Sequence, residues 1–409
     1  MRERLRPETF GIEIQKIRRG YYSAVYFWRE KKILEAIGFS KKVLMQVFQK
    51  KNSVLCGIDE AAAVLKLCSG YYRMQDAANR LFDEYNKLER DIRAAQVRRD
   101  FNLLSRLFSE KLNLEMELEQ LWEDKSGELS MSGLHDRDAI APWETVMTIE
   151  GVPQHFAHLE SVYLGILARR TLIASNVSRV VEAAKGKPIL FFADRFDHYQ
   201  NQTGDGYAAM VGGAYAVATD MMGEWWGKKG AGTIPHALIA CFGGNTPEAT
   251  LAFARQYPEV PSISLVDFHN DCPKTALEVA EAFKAEGLPL WGVRLDTSEN
   301  MVDQSIIRND QLGSERPTGV NPTLVRNVRS ILDRNGHDNV KIVVSGGFSV
   351  DKIRYFEERN VPVDSYGCGS SLLKGDNDFT ADIVVVDGMP CGKKGRPFRS
   401  NAKLEKIEL

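Results

Sequence analysis

From Ile189 onward, short apolar segments alternate with amphipathic segments of helical period, and this alternation limits the possible folds more than any other feature of the chain. Parallel strands are normally joined by crossover helices, so the repeat predicts a parallel sheet, either a barrel or a doubly wound sheet. The predicted helices cover residues 246–256, 274–286, 322–334 and 350–359. The predicted strands are Ile189–Ala193, His236–Ala240, Ser262–Val266, Leu290–Arg294, Lys341–Val344 and Val363–Tyr366.

Polar residues follow almost every one of these apolar segments. Active sites of (β/α) barrels lie where the carboxyl ends of many strands meet, so this distribution favours an α/β fold built on an irregular (β/α) barrel. The segments in question end in Asp194-Arg195, Asp267, Arg294 with Asp296, Ser345 to Gly347, and Gly367 to Ser371.

The two ends of the chain have a different pattern. We predict a barrel domain over residues 141–379 and a smaller α+β domain formed by residues 1–140 together with 380–409. Residues 71–125 carry apolar positions at alternating spacings of four and three, which predicts a helical hairpin or short coiled coil inserted in the smaller domain. The insert either packs on its own domain or a sister subunit, or it binds another partner.

Composition excludes several classes of protein. The 53 Lys and Arg nearly balance the 55 Asp and Glu, so the broad basic surface of a nucleic-acid-binding protein is not expected. The six cysteines form no CxxC pair, the start of the chain has no signal-peptide pattern, and no stretch reaches the ~20 apolar residues of a membrane span. We expect a cytoplasmic protein with reduced thiols.

Two glycine-rich segments follow consecutive predicted strands. Glycine lets backbone N–H groups approach an anion closely, and the helices that begin after these segments would add their positive ends. We therefore predict a phosphate site at Ser345, Gly346 and Gly347 and at Gly367, Gly369 and Ser370.

Arg294 and Asp296 lie two residues apart, on the same side of a predicted strand. The guanidinium could hold a phosphate or steer a reacting ring, and the carboxylate could bind ribose hydroxyls. An internal Arg–Asp ion pair without a function is the alternative.

Five further residues are candidates for ligand contacts. Thr233 and His236 belong to the segment Gly232–His236, although a single histidine is more often structural. Asp267, in a polar cluster, suits ribose hydroxyls or a Mg²⁺ carried by pyrophosphate. Phe192 and Arg195 offer an aromatic face and a cation, which suit a planar anionic ring, or else a core Phe with a surface Arg.

Together these segments resemble the nicotinate phosphoribosyltransferase family, whose relatives include the nicotinamide and quinolinate enzymes of the same barrel type. The resemblance covers most of the chain, in family order, apart from the helical insert. The matching segments are Ser23–Tyr26, Glu160–Gly165 through Ser175-Asn176 and Arg179, Phe192–Arg195, Gly232–His236, Arg294–Thr297, Ser345–Gly347, Val363–Ser370, and Phe379–Asp382 through Lys394–Arg396.

The resemblance implies a role for each matching residue. Tyr26 would reach into the site of a neighbouring subunit and sandwich the pyridine ring against Phe192, which requires a homodimer or larger assembly. Arg195 would lie close to the ring and the pyrophosphate. His236 resembles the histidine that nicotinate enzymes phosphorylate from ATP. Arg294 and Asp296 would flank the ribose and the ring, and the glycine loops would hold the 5′-phosphate.

The implied reaction joins nicotinate to phosphoribosyl pyrophosphate, with Mg²⁺ on the pyrophosphate and ATP as a co-substrate, in the synthesis or salvage of NAD. Two departures from the family pattern leave nicotinamide open as the substrate: Ser23-Ala24 replaces Thr-Asp, and Phe196 follows Arg195 where a second Arg is usual. The loss of a cation argues more strongly against the dicarboxylate quinolinate. A catalytically decayed barrel that acts through the helical insert is a further alternative.

Overall fold

The computed structural model describes residues 3–313 and 315–409. The chain forms two compact units, one made of residues 1–171 and 377–409 and the other of residues 172–376. The division falls inside a helix that spans Glu160–Ala183, so residues 141–171 belong to the first unit rather than to the second. No helix in the described part of the chain has the length and apolar character that crossing a membrane would require.

Helices and strands alternate along most of the chain. The helices are α1 (Ile14–Arg18), α2 (Val25–Ala36), α3 (Ile58–Cys68), α4 (Gln75–Arg98), α5 (Phe101–Leu121), α6 (Glu160–Ala183), α7 (Gln202–Val211), α8 (Asp220–Gly223), α9 (His236–Cys241), α10 (Thr246–Gln256), α11 (Cys272–Ala285), α12 (Gln304–Arg308), α13 (Pro322–Arg334) and α14 (Val350–Glu358). The strands are β1 (Val43–Phe48), β2 (Ser53–Val54), β3 (Gly70–Tyr72), β4 (Trp122–Asp124), β5 (Ser130–Gly133), β6 (Ala139–Ile140), β7 (Thr145–Gly151), β8 (Ile189–Phe191), β9 (Ala216–Val217), β10 (Ile263–Leu265), β11 (Gly292–Leu295), β12 (Lys341–Val344), β13 (Ser365–Cys368), β14 (Thr380–Val386), β15 (Met389–Pro390) and β16 (Glu405–Ile407).

The first unit is built on a six-stranded sheet with the order β15-β14-β1-β7-β5-β16. Strands from both ends of the chain meet in it, because β14 pairs antiparallel with β1 and β16 pairs antiparallel with β5. One face of the sheet packs on α3, whose buried residues include Ile58, Val64 and Leu65. Residues distant in sequence therefore share one hydrophobic core.

The insert of the first unit is a pair of long helices, α4 and α5, joined by Arg99 and Asp100. Arg99 takes the left-handed conformation that commonly ends a helix, and the Asp100 carboxylate accepts a hydrogen bond from the backbone N–H of Leu103 to begin the next. The two helices pack through Leu88, Ile92, Ala95, Leu104 and Leu107. The helical hairpin predicted from the apolar spacing is confirmed.

The second unit is an α/β arrangement around a parallel six-stranded sheet with the order β10-β11-β12-β13-β8-β9. The short apolar sequences of the central strands are buried almost throughout, as expected for a parallel sheet covered by helices. Every neighbouring pair in this sheet is parallel, so all six strands have their carboxyl ends at the same edge. Within the described residues the sheet is open, and the closed outline of a barrel is not observed.

One predicted strand is wrong: residues 236–240 lie in helix α9. Four apolar residues do not distinguish a strand from a buried helical turn by periodicity alone. Pro235 at the N-cap starts the helix, and Gly243 and Gly244, both with positive φ, end it. The predicted helices 246–256 and 322–334 are confirmed with those boundaries.

Replacing Asn321 by Ala should destabilise the second unit. Its side-chain carbonyl accepts a hydrogen bond from Leu324 N at 3.0 Å, and its amide donates to the carbonyls of Pro317 and Gly319 at 3.0 and 3.1 Å. Loss of the cap, together with two unpaired carbonyls, should lower the free energy of unfolding by roughly 2 kcal/mol or more in denaturant titrations. Asn335→Ala, at the exposed opposite end of the same helix, is the control, and a loss as large in the control would contradict this account.

Candidate active site

The carboxyl edge of the parallel sheet carries the polar side chains of the second unit. Arg294 lies on β11, Asp296 follows that strand, and Ser345 follows β12. Because these strands are neighbours and parallel, the three side chains come together in space although they lie up to 51 positions apart in sequence.

The guanidinium of Arg294 is held on three sides. Its Nε donates to Ser345 Oγ at 2.8 Å, one terminal nitrogen donates to Thr233 Oγ1 at 3.2 Å, and the other lies 3.5 Å from an Asp296 carboxylate oxygen. Ser345 Oγ also donates to the second oxygen of Asp296 at 2.7 Å. This network fixes the plane of the guanidinium, since its donors are directed by the planar geometry of the group.

Arg294 and Asp296 thus form an ion pair, as expected if the two residues have only a structural role. Both side chains nevertheless remain about one-fifth exposed and line an open cleft of about 490 Å³. The exposed edge of the guanidinium is positioned to contact a ligand in the cleft.

Most of the predicted site residues line this one cleft. Asp267 is not among the lining residues but contacts one of them, His236. Tyr26 lies on α2 of the first unit with an exposed ring, and its placement in a site stays a prediction. The predicted residues that line the cleft are Phe192, Arg195, Thr233, His236, Arg294, Asp296, Ser345, Gly346, Gly347, Gly367, Gly369 and Ser370.

His236 begins helix α9 and pairs with Asp267. Its Nε2 lies 3.1 Å from both carboxylate oxygens, and the Asp267 side chain is largely buried. The hydrogen bond with Asp267 is the main cause that raises the pKa of His236 above its ordinary value, and partial burial acts in the opposite direction. Asp267 thus contacts a histidine, and its predicted contact with ribose or Mg²⁺ stays a prediction.

Gly367 and Gly369, at the end of β13, each leave space for an aromatic ring. A Cβ on Gly367 would lie 2.8 Å from the ring of Phe192, and a Cβ on Gly369 would lie 2.5 Å from the ring of Phe196. Arg294 also lies over the Phe192 ring, with its Cζ 5.0 Å from the ring centroid. Close packing of two phenylalanines thus requires these glycines, whether or not they also contact an anion.

The Gly346-Gly347 turn has positive φ at both residues, the left-handed conformation that favours glycine. Lys352, which was not predicted, supports this turn: its Nζ donates to the Gly346 carbonyl at 3.1 Å and lies 4.4 Å from the Phe348 ring. Burial lowers the pKa of Lys352. Its position in the first turn of α14, five residues after Gly347, was the sequence signal that could have identified it.

Sequence comparisons place the chain near nicotinate phosphoribosyltransferases. It is 31% identical over 273 residues to nicotinate phosphoribosyltransferase pncB1 of Mycobacterium tuberculosis, covering 64% of this chain and 55% of that enzyme. It is 23% identical over 236 residues to the nicotinate phosphoribosyltransferase of Bacillus subtilis, covering 56% and 43%. The matched region therefore spans about half the length of these curated relatives. No family profile matches the chain.

Structure comparisons extend the match over nearly the whole chain. A nicotinate-nucleotide pyrophosphorylase from Pyrococcus furiosus has a TM-score of 0.70 and 28% identity, covering 97% of this chain and 85% of that one. Human nicotinic acid phosphoribosyltransferase has a TM-score of 0.61 at 14% identity, covering 90% and 75%, which shows a common fold. The predicted resemblance to the nicotinate phosphoribosyltransferase family is confirmed.

Replacing Asp267 by Asn should lower the pKa of His236, because the hydrogen bond and the negative charge that favour the imidazolium are both weakened. An NMR titration of the His236 ring would measure the change. Asp271→Asn, in the same loop but paired with Arg308, removes an equal charge and should leave the His236 titration in place. An unchanged pKa in the Asp267 variant would contradict the assignment.

Proposed function

Because this chain is related to the nicotinate phosphoribosyltransferases in sequence and in fold, we propose that it catalyses the same reaction on the cleft described above. The products would be nicotinate mononucleotide and pyrophosphate, formed in the cytoplasm for NAD synthesis or salvage. The observation that carries the proposal is the convergence of Arg294, Asp296, His236 and both glycine segments in one cleft. We also propose that the open parallel sheet corresponds to the wall of the irregular barrel of this enzyme class.

The proposed reaction is a displacement at the anomeric carbon of the ribose. The pyridine nitrogen forms the new C–N bond while the C–O bond to pyrophosphate breaks, and the pyrophosphate leaves with the electron pair. Positive charge grows on the ribose and negative charge on the leaving group, so fixed charges matter more than proton transfer. Asp296 would face the developing cation, and Arg294 and Arg195 would face the anions.

Magnesium is assigned to the leaving group rather than to a preformed protein site. The described residues contain no group of three or more His, Cys, Asp or Glu side chains arranged to hold a metal ion. A cation carried by the pyrophosphate would neutralise part of the charge that accumulates as the bond breaks. Carboxylates such as Asp296 would then contact the ion as one ligand among the phosphate oxygens.

The His236–Asp267 pair supports a role for ATP. If the imidazole proton is on Nε2 and is donated to Asp267, Nδ1 keeps its lone pair. Nδ1 would then attack the γ-phosphorus of ATP and release ADP. Water would later hydrolyse the phosphohistidine. Asp267 here orients the ring and stabilises the tautomer, in the way that a carboxylate orients other nucleophilic or basic histidines.

A shared active site is the remaining part of the proposal. Tyr26 lies on α2 with its side chain 63% exposed, so in the first unit its ring is accessible to another subunit. A homodimer or larger ring in which Tyr26 covers the pyridine of a neighbouring subunit would account for that exposure.

The ring selectivity depends on the charge of the cleft, and nicotinamide is the second candidate substrate. Phe196 lines the cleft beside Arg195, with the Arg195 Cζ 5.7 Å from its ring, in the position where the family usually has a second cation. A pocket with fewer cations would bind the nicotinate carboxylate less tightly, which favours the neutral amide of nicotinamide in comparison.

The direct test is pyrophosphate release from phosphoribosyl pyrophosphate and Mg²⁺ with nicotinate, nicotinamide or quinolinate, each with and without ATP. Nicotinate turnover that ATP stimulates is expected. Turnover of nicotinamide alone would keep the site but change the substrate, and no release with any of the three would favour a decayed barrel that binds without catalysis.

Replacing His236 by Ala should uncouple ATP hydrolysis from nucleotide formation and leave a slow, ATP-independent transfer, because the ring and ribose contacts remain. ADP release and mononucleotide formation measured in the same reaction give the coupling ratio. His269→Ala is the control, since His269 Nε2 donates to the Gly244 carbonyl at 2.8 Å and is not among the cleft residues. Coupling that survives in the His236 variant would exclude the phosphohistidine role.

A further inference from the structure

Lys352 is a partly buried cation beside the Gly346-Gly347 turn. Its Nζ donates to the Gly346 carbonyl at 3.1 Å and lies 4.4 Å from the centroid of the Phe348 ring. It forms no ion pair with a described carboxylate, and Glu299 favours its charged form only from beyond ion-pair distance. Lysines that are withdrawn from water are normally paired with an anion, because burial of a charge is costly. This ammonium therefore lacks an anionic partner of its own.

The turn separates Lys352 from the candidate active-site cleft. Gly346 and Gly347 line the cleft, whereas Lys352 is not among the residues that line it. Lys352 instead lines a second cavity of about 470 Å³, which shares Gly347 with the cleft. Any effect of Lys352 on a ligand in the cleft must therefore be transmitted through the backbone of the turn or act as a field across it.

The geometry of one peptide group connects the two sides of the turn. No cis peptide bond occurs in the described part of the chain, so the bond between Gly346 and Gly347 is trans. In a planar trans peptide, the C=O and N–H bonds point in opposite directions. Because Lys352 holds the carbonyl of Gly346, the N–H of Gly347 points away from Lys352.

The turn has backbone donors that the fold does not use. The N–H groups of Gly346, Gly347 and Phe348 donate no hydrogen bond to another described residue. All three residues line the cleft. Consecutive backbone N–H groups that are left free in a glycine turn form a concave surface for an anion. The phosphate site predicted at these glycines therefore has donors, and Lys352 controls the orientation of one of them.

We propose that Lys352 is a positioning residue for the 5′-phosphate of the phosphoribosyl substrate. Its hydrogen bond fixes the Gly346–Gly347 peptide so that the Gly347 N–H is directed at the phosphate before the ligand arrives. Its charge, which no described carboxylate neutralises at short range, adds to the attraction for the anion. The inference rests on the proposed function for the identity of the ligand, while the role of Lys352 in holding the turn does not depend on catalysis.

The first test is the binding of ribose 5-phosphate and of inorganic pyrophosphate to the full chain, measured by isothermal titration calorimetry. Lys352→Met has a similar length without the charge and should raise the Kd of ribose 5-phosphate about tenfold, while the Kd of pyrophosphate stays near the wild-type value. Lys352→Arg should restore most of the affinity, because a guanidinium can donate to the same carbonyl. Arg354→Met, an exposed position of the same helix near Asp351, is the matched control and should bind as the wild type does.

Steady-state kinetics separate positioning from a general loss of structure. Lys352→Met should raise the KM for phosphoribosyl pyrophosphate by a similar factor, while the KM for the pyridine substrate and kcat stay much closer to the wild type. A damaged fold would instead reduce kcat and affect both substrates. Far-UV circular dichroism and denaturant titration of each variant would verify that the second unit remains folded.

Equal affinities of the wild type and Lys352→Met for ribose 5-phosphate would overturn the inference. A loss that Lys352→Arg does not restore, or a wild type that binds no ribose 5-phosphate, would overturn it as well. Failure of the proposed reaction gives a different result. Binding of ribose 5-phosphate that depends on Lys352, without turnover of any of the three pyridines, would support the inference and reject the proposed function.

Discussion

The fixed guanidinium of Arg294 is the interaction on which the rest of the candidate site depends. Three separate chain segments supply its partners: Thr233 before α9, Asp296 after β11 and Ser345 after β12. The contacts can form together only if β11 and β12 are in their observed register, with Leu295 opposite Val344. The geometry of the site therefore depends on the register of the sheet. A slip of one residue would move these side chains to the other face of the sheet.

The aromatic packing follows from the same arrangement. Phe192 packs near both Arg294, whose Cζ lies 5.0 Å from the ring centroid, and Gly367, where a Cβ would collide with the ring. Gly369 provides the corresponding space for Phe196. Rings packed beside a fixed cation form a preorganised surface, which would suit the flat heterocycle of the proposed reaction.

Sequence reasoning predicted the parts of this site that follow from strand order. Polar residues at the ends of Ile342–Val344 and Val293–Leu295 had to meet once the strands were parallel, and α13 began and ended where Pro322 and Arg334 indicated. The helix at 236–241 was missed because four apolar residues satisfy both periodicities.

The partner of Asp267 was also missed, because two side chains 31 positions apart are brought together only by tertiary structure. The contacts of Gly367 and Gly369 with aromatic rings had no separate signal either. A glycine required for packing and a glycine required for phosphate look the same in a sequence.

The charge balance of the cleft links these observations to substrate choice. The charge of Arg294 is partly balanced by Asp296, whereas Arg195 makes no ion pair among the described residues. The substrate would bring a phosphate and a pyrophosphate, and these anions compete with any ring carboxylate for the same cations. In the proposed reaction, the apolar ring at position 196 would leave Arg195 as the cleft arginine available to contact a carboxylate-bearing ring. Under this proposal, discrimination between nicotinate and nicotinamide would depend on whether Arg195 faces the ring or the pyrophosphate.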